Sequence, residues 1–310
     1  MNMAEPLHFD RTTLRGRLLL DEPMSRHVSW RAGGKVDRAY VPADLADLQA
    51  FLRALPATEP VVFVGLGSNL LVRDGGFRGT IVLLHTTRGA IRMEGGLIEA
   101  EAGVASPKLA RFASRQGYEG AEFLAGVPGT VGGALAMNAG CYGAETWDRV
   151  HDVLTIDRRG TLHRRAPRDF ETGYRHVVLR NAMLGTDEWF VSGRFAFSRG
   201  DGERARMRIT ELLEKRVATQ PLALPNAGSV FRNPPGDHAA RLVEAAGLKG
   251  HPIGGARISE KHANFIVNPK GAGSAADIEA LIALARTTVR DRFGIALVPE
   301  VRIVGEAVHS

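Results

Sequence analysis

Between Gly126 and Gly143 the chain reads Gly-Val-Pro-Gly-Thr-Val-Gly-Gly-Ala-Leu-Ala-Met-Asn-Ala-Gly-Cys-Tyr-Gly, six glycines and no charged side chain. Each missing Cβ lets the backbone take positive φ or bring its N–H groups against a flat ring or a phosphate. Glycine clusters also mark surface turns, but Val127, Val131, Leu135 and Met137 interleave here, which an exposed linker does not need. A second candidate, Gly65-Leu-Gly-Ser-Asn69, offers a turn, a hydroxyl and an amide suited to pyrophosphate oxygens. It is not the dinucleotide-fold fingerprint, which needs a third glycine opening a helix where Leu70-Leu71-Val72 continue an apolar run. Taken alone it reads first as an ordinary turn. Ser229, in Asn226-Ala-Gly-Ser-Val-Phe-Arg-Asn-Pro234, reads alone as a turn hydroxyl serving nearby backbone. Glu300 and Arg302 read as terminal-strand charges, and Lys261-His262 as a solvated pair.

Periodicity predicts the elements that must hold these residues. Asp44 caps a helix whose face is Leu45, Leu48, Phe51, Leu52 and Leu55, and Pro60–Val64 is a short buried strand feeding directly into Gly65-Leu-Gly-Ser-Asn69. Residues 81–84 and 98–102 are further strands, followed by a helix from Ser106-Pro107, as N-cap and first helical residue, to Gly117. Extended segments are expected at 150–156, 161–164 and 189–197. An amphipathic helix over 203–218 should turn Met207, Leu212, Leu213 and Val217 inward. Helices at 239–246 and 275–293 then alternate with loops, and residues 295–304 close the chain as a strand.

Composition bounds the rest. A chain of 310 residues can bury two or three domains. No apolar stretch approaches the ~20 residues that span a bilayer, and Glu5, His8 and Asp10 stand where a signal peptide would need an apolar core. The single cysteine, Cys141, excludes an internal disulfide, fits a reducing cytoplasm, and reads as a small buried filler. A net charge of +6 comes from scattered basic residues without a nucleic-acid module and suits anionic small ligands instead. The histidines show no ligand spacing and there is no Cys-x-x-Cys, so no metal is expected.

The glycine run, Gly65-Leu-Gly-Ser-Asn-Leu-Leu-Val72, Gly173-Tyr-Arg175, Gln220-Pro221, Pro225 to Pro234, Ile258-Ser-Glu-Lys-His-Ala-Asn-Phe-Ile-Val-Asn268 and Leu297-Val-Pro-Glu-Val-Arg302 occur in one order along nearly the whole chain. In these blocks it resembles the UDP-N-acetylenolpyruvoylglucosamine reductases, FAD enzymes of peptidoglycan precursor synthesis that use NADPH. The resemblance implies an α+β fold: a two-subdomain FAD-binding scaffold of the vanillyl-alcohol-oxidase/PCMH type plus a separate α+β substrate domain. The expected division is a leader (1–20), FAD subdomains at 21–86 and 87–218, the latter with a returning segment 294–310, and a substrate domain at 219–293. It implies Ser229 as general acid, with Arg175 and Glu300 completing the catalytic set. FAD contacts are implied for Gly65, Gly67, Ser68, Asn69, Gly126, Gly129, Thr130, Gly132, Gly133 and Arg302. A UDP-sugar is implied to meet Asn233, Lys261, His262 and Asn264, with the chain acting as a cytoplasmic monomer.

Departures from the family pattern also carry expectations. Residues 179–203 are short and lack the inserted tyrosine-bearing loop of one branch. His176-Val177-Val178 offers no serine after Arg175, and Arg232 replaces a common lysine, exchanging a compact ammonium for a planar fork.

Overall fold

Strand β1 (Arg17–Pro23), β2 (Lys35–Val41), helix α1 (Leu45–Ala54), β3 (Val61–Val64), β4 (Leu70–Val72) and β5 (Phe77–Leu83) build the first layer of the computed structural model, which describes residues 14–85 and 89–308. The sheet runs β1-β2-β5-β3, with β2, β5 and β3 parallel and β1 antiparallel at the edge. Asp44 accepts from the Asp47 N–H, as its place before an apolar-periodic run requires. The helix lays Leu48, Phe51 and Leu52 onto Tyr40, Val61 and Val82, while Leu45 stays exposed. The expected leader is shorter than residue 20: Arg17 to Pro23 pair along β2. An edge strand half-buried on both faces has no alternation to read, and residues 1–13 lie outside the described residues.

The second layer begins with β6 (Ile91–Glu94), β7 (Leu97–Glu101), α2 (Ser106–Arg115), β8 (Tyr118–Glu119) and α3 (Val131–Met137). Two hairpins follow, β9 (Gly140–Cys141) with β10 (Ala144–Glu145) and, beyond β11 (Val150–Asp157) and β12 (Leu162–Arg165), β13 (Phe170–Gly173) with β14 (His176–Leu179). After β15 (Glu188–Phe195) and β16 (Ser198–Arg199) comes α4 (Gly202–Thr219). The sheet is antiparallel throughout, in the order β12-β11-β15-β7-β6. Ile156, Trp189 and Val191 from it share a core with α1, so the two layers meet through apolar packing.

Two expectations need correction here. Ala105, not Ser106, is the N-cap of α2, and the Ser106 hydroxyl is buried without a partner. The glycine run supplies backbone partners at this end instead: Ser106 N–H donates to Gly129 O and Val131 N–H to Val104 O. In α4 the buried face is Ala205, Ile209 and Leu212, whereas Met207 and Val217 are 56% and 60% exposed. The buried stripe keeps Leu212 from the expected set but runs through Ala205 and Ile209 in place of Met207 and Val217.

The last unit comprises α5 (Ala239–Ala245), β17 (Pro252–Ile253), β18 (Ala256–Ile258), β19 (Ile266–Val267) and α6 (Ala275–Phe293). A capping box of Ser274 and Asp277 opens α6, and Gly294 in the left-handed conformation ends it. The final strand, β20 (Arg302–Val304), pairs in parallel with β4. The strand pairing of the returning segment is therefore with the first layer, while Glu300 just before it meets Arg175 of the second. Trp30 crosses the other way: it is fully buried in the core of the last unit, and its indole N–H donates to Ile266 O at 2.7 Å.

Candidate active site

Three remote segments converge because short backbone ladders hold them together. Glu300 N–H donates to Val230 O at 2.7 Å and Arg232 N–H to Val298 O at 2.9 Å, so the segment before β20 runs antiparallel to the one after Ser229. Asn264 pins the latter from behind, its amide accepting from Phe231 N–H and donating to Phe231 O. Asn69 ties in the third segment by donating to Glu300 O at 3.2 Å. Arg175 stands at the tip of the β13–β14 hairpin in a left-handed conformation, φ 54°, uncommon for a non-glycine residue. Its Nε donates to Glu300 Oε1 at 2.8 Å, Nη1 to Asn138 O at 3.3 Å and Nη2 to Gly140 O at 2.9 Å. The guanidinium also lies 5.0 Å from the Tyr174 ring centre.

These groups border a cavity of about 340 Å3. Gly65, Gly67, Ser68, Asn69, Gly126, Gly129, Thr130 and Gly133 form one part of its wall, and Arg175, Ser229, Glu300 and Arg302 another. Burial pushes the Glu300 carboxyl above its usual range against the opposing pull of Arg175. Glu300 can therefore keep a proton to higher pH than a free carboxylate does.

Gly132 is not in the wall. A Cβ there would lie 2.8 Å from the Ala102 Cβ, so this glycine serves close packing of α3 on the end of β7. A Cβ on Gly133 would meet only Thr130 Oγ1 at 3.9 Å, and one on Gly129 only Ser68 Oγ at 3.1 Å. At Gly133 bare backbone thus faces open space, while Gly129 backs closely on Ser68. Among the described residues the Ser68 and Asn69 N–H groups reach no protein acceptor. Such a cradle, with unpaired donors at one end and apolar walls from Val127, Met137 and Phe265, fits a flat ring joined to phosphates.

The four expected substrate residues lie outside this cavity. Asn264 is buried as the clamp just described, and Asn233 accepts from Ala239 N–H at the start of α5. His262 meets Phe265 edge-on, its Nδ1 buried without a partner. Lys261 donates to Val217 O at 2.6 Å and borders a neighbouring recess of about 350 Å3 that shares only Gln220 with the main cavity. Cys141 is partly buried in the cavity wall, not fully buried; its thiol donates to Phe123 O, and burial pushes its pKa up to about 11.

Arg216 is the wall residue that sequence reading missed. It donates to Gln220 Oε1 at 2.8 Å, and burial lowers its pKa. No sequence signal separates it from the other basic residues of α4. Only its place in the cavity wall, beside Gln220, does so.

Comparison with known proteins decides the family. Residues 36–165 match the FAD binding domain model, and residues 220–304 match the model for the C-terminal domain of UDP-N-acetylenolpyruvoylglucosamine reductase. The chain is 56% identical to the UDP-N-acetylenolpyruvoylglucosamine reductase of Thiobacillus denitrificans, over 94% of each chain. This chain belongs to the UDP-N-acetylenolpyruvoylglucosamine reductase family. It is 58% identical to the reductase of Alkalilimnicola ehrlichii, over 94% of this chain and 96% of that one. The crystal structure of the Thermus caldophilus reductase aligns over 94% of this chain and 99% of its own, with a TM-score of 0.77 at 29% identity. The chain is accordingly an FAD-dependent oxidoreductase of mixed α and β structure. Among the described residues no helix is long and apolar enough to cross a membrane.

Proposed function

We propose that this family member reduces the enolpyruvyl ether of UDP-N-acetylglucosamine to UDP-N-acetylmuramate with NADPH, in the synthesis of peptidoglycan precursors. FAD held along the glycine cradle would supply the hydride chemistry, with NADPH as the hydride source and C3 of the enolpyruvyl group as the acceptor. The side chains then manage charge and one proton. As C3 gains hydride, negative charge grows on C2 and its carboxylate, so a guanidinium fixed there stabilises the transition state more than the ground state. Arg175 has that role in this reading, held by Glu300 and two carbonyls so that little reorganisation is left to do. Ser229 gives its hydroxyl proton to C2. A hydroxyl is a weak acid, yet the carbon it protonates is more basic still. Glu300, with its raised pKa, orients Arg175 or shares a proton with the substrate carboxylate.

The observation that carries the reading is the meeting of Arg175 and Glu300 at 2.8 Å on the wall that also holds Ser229. Gly65, Gly67, Ser68, Asn69, Gly126, Gly129, Thr130, Gly133 and Arg302 are the proposed FAD contacts, and the guanidiniums of Arg175, Arg216 and Arg302 favour a phosphate-bearing substrate. The reading extends to a monomer working in the cytoplasm. An anaerobic absorbance trace tests it: NADPH should bleach the flavin band, and the enolpyruvyl substrate should restore it stoichiometrically. Recovery only on admitting oxygen, with peroxide formed, would contradict it and favour an oxidase.

A further inference from the structure

We propose that Asn138 is a positioning residue that sets the Arg175 guanidinium. The inference rests on the reading in which Arg175 meets the substrate carboxylate.

Asn138 ends α3 in the left-handed conformation, φ 41°, and is 2% exposed. Ending a helix this way needs only glycine, whose conformational freedom makes it the usual choice. The side chain here does more. Its Oδ1 accepts from Trp147 N–H at 3.0 Å, and its Nδ2 donates to Glu145 Oε2 at 2.7 Å and to Gly173 O at 3.1 Å. One buried amide thus has both faces satisfied, joining the end of α3 to the β9–β10 hairpin and to the tip of the β13–β14 hairpin. Among the described residues, the two acceptors of the Arg175 fork beyond Glu300 lie in the joined region: Asn138 O itself and Gly140 O. Gly173, which Asn138 grips, is two residues before Arg175 in the same hairpin turn. The amide therefore fixes both the chain that carries the guanidinium and the carbonyls that receive it. Glu145 has a separate task on its other side, capping the turn at Thr146–Arg149 with Asp148. A glutamine there could keep that task and offer a donor toward residue 138.

Asn138→Asp is nearly isosteric and tolerates the left-handed conformation, but it replaces two donors with a carboxylate facing Glu145 and Gly173 O. In anaerobic stopped-flow on the FAD-loaded enzyme, bleaching by NADPH should stay within about 3-fold of wild type. Reoxidation by the enolpyruvyl substrate should slow by on the order of 100-fold, as a misplaced reacting group does. Adding Glu145→Gln should recover only part of that loss, because it restores a donor between residues 145 and 138 while the bond to Gly173 O stays broken. In an Arg175→Ala background, Asn138→Asp should slow the second step little further, because the residue through which it acts is gone. A direct readout needs no turnover: the 15N-resolved Arg175 Nε–H resonance, assigned by its loss in Arg175→Lys, should shift or vanish in Asn138→Asp. If Asn138→Asp fails to fold, Asn138→Gly keeps the helix end and removes the side chain, and the same outcomes apply except the rescue by Glu145→Gln, which needs an acceptor side chain at 138. Equal slowing of both steps, the same penalty in the Arg175→Ala background, or an unchanged Arg175 resonance would overturn the proposal. Should Arg175→Ala itself leave the second step intact, the role of Arg175 falls and the proposal with it, a result distinguishable from failure of the hold alone.

Discussion

At the residue scale, neighbouring glycines of one run have opposite tasks. Gly133 faces open space and Gly132 faces Ala102. Gly133→Val should leave the apoprotein's melting temperature nearly unchanged and abolish flavin retention, while Gly132→Val should lower the melting temperature of the apoprotein itself. Measuring both by thermal melts and flavin-to-protein absorbance ratios separates them; a yellow, fully loaded Gly133→Val protein would contradict the placement of the cradle. Sequence alone made the run legible as ligand-facing backbone but treated its glycines alike, because composition does not tell which side of α3 each one faces. The substrate residues were less legible. Asn264 has the look of a recognition amide, and the fold spends it on holding Phe231, since buried backbone near Ser229 had to find partners. Arg175, Ser229 and Glu300 had no distinguishing local signal, and only the resemblance singled them out before the fold brought them together.

At the element scale, the strands and helices around the site were largely readable from period and capping. Asp44, Ser274 and Gly294 stand where helix ends demand them. What failed was orientation: the face of α4 follows Ala205, Ile209 and Leu212, whereas Met207 and Val217 face solvent. Sheet electrostatics were also invisible in the sequence, because they join distant strands. Asp152 on β11 is buried, which raises its pKa, but Arg194 from β15, His151, and Arg164 from β12 donate to it and together hold it down to about 2. A carboxylate whose folded pKa lies below its unfolded value of about 3.9 stabilises the protein fully above that value, and the contribution fades as pH falls toward 2. Asp152→Asn should therefore lower the melting temperature at pH 7, with the gap to wild type narrowing through the window between pH 4 and 2. A gap independent of pH would show that the cluster contributes through packing alone.

At the scale of the whole molecule, the site exists because its last unit is stitched to the first. Trp30 inserts into the core of the last unit, β20 returns to β4, and Asp74 accepts from Ala275 and Ala276 at the head of α6. Arg73 adds paired bonds to Glu279 on the same helix. Trp30→Ala should cost about 3–5 kcal/mol, the range for truncating a buried aromatic, and denaturant unfolding followed by flavin release should show the loss. A cost below 1 kcal/mol would mean that the units hold together without it. These long-range closures were the least legible feature, since no local pattern says that the thirtieth residue belongs to the core of the last unit. They matter because they let Ser229, Arg175 and Glu300 line one cavity. The most direct test of that convergence is anaerobic stopped-flow of Ser229→Ala with the two steps resolved. The expected result is near-normal bleaching of the flavin by NADPH and a second step slowed by about 100- to 10,000-fold, the range for a lost general acid. Equal losses in both steps, or a second step left at the wild-type rate, would contradict the assignment of the proton to Ser229.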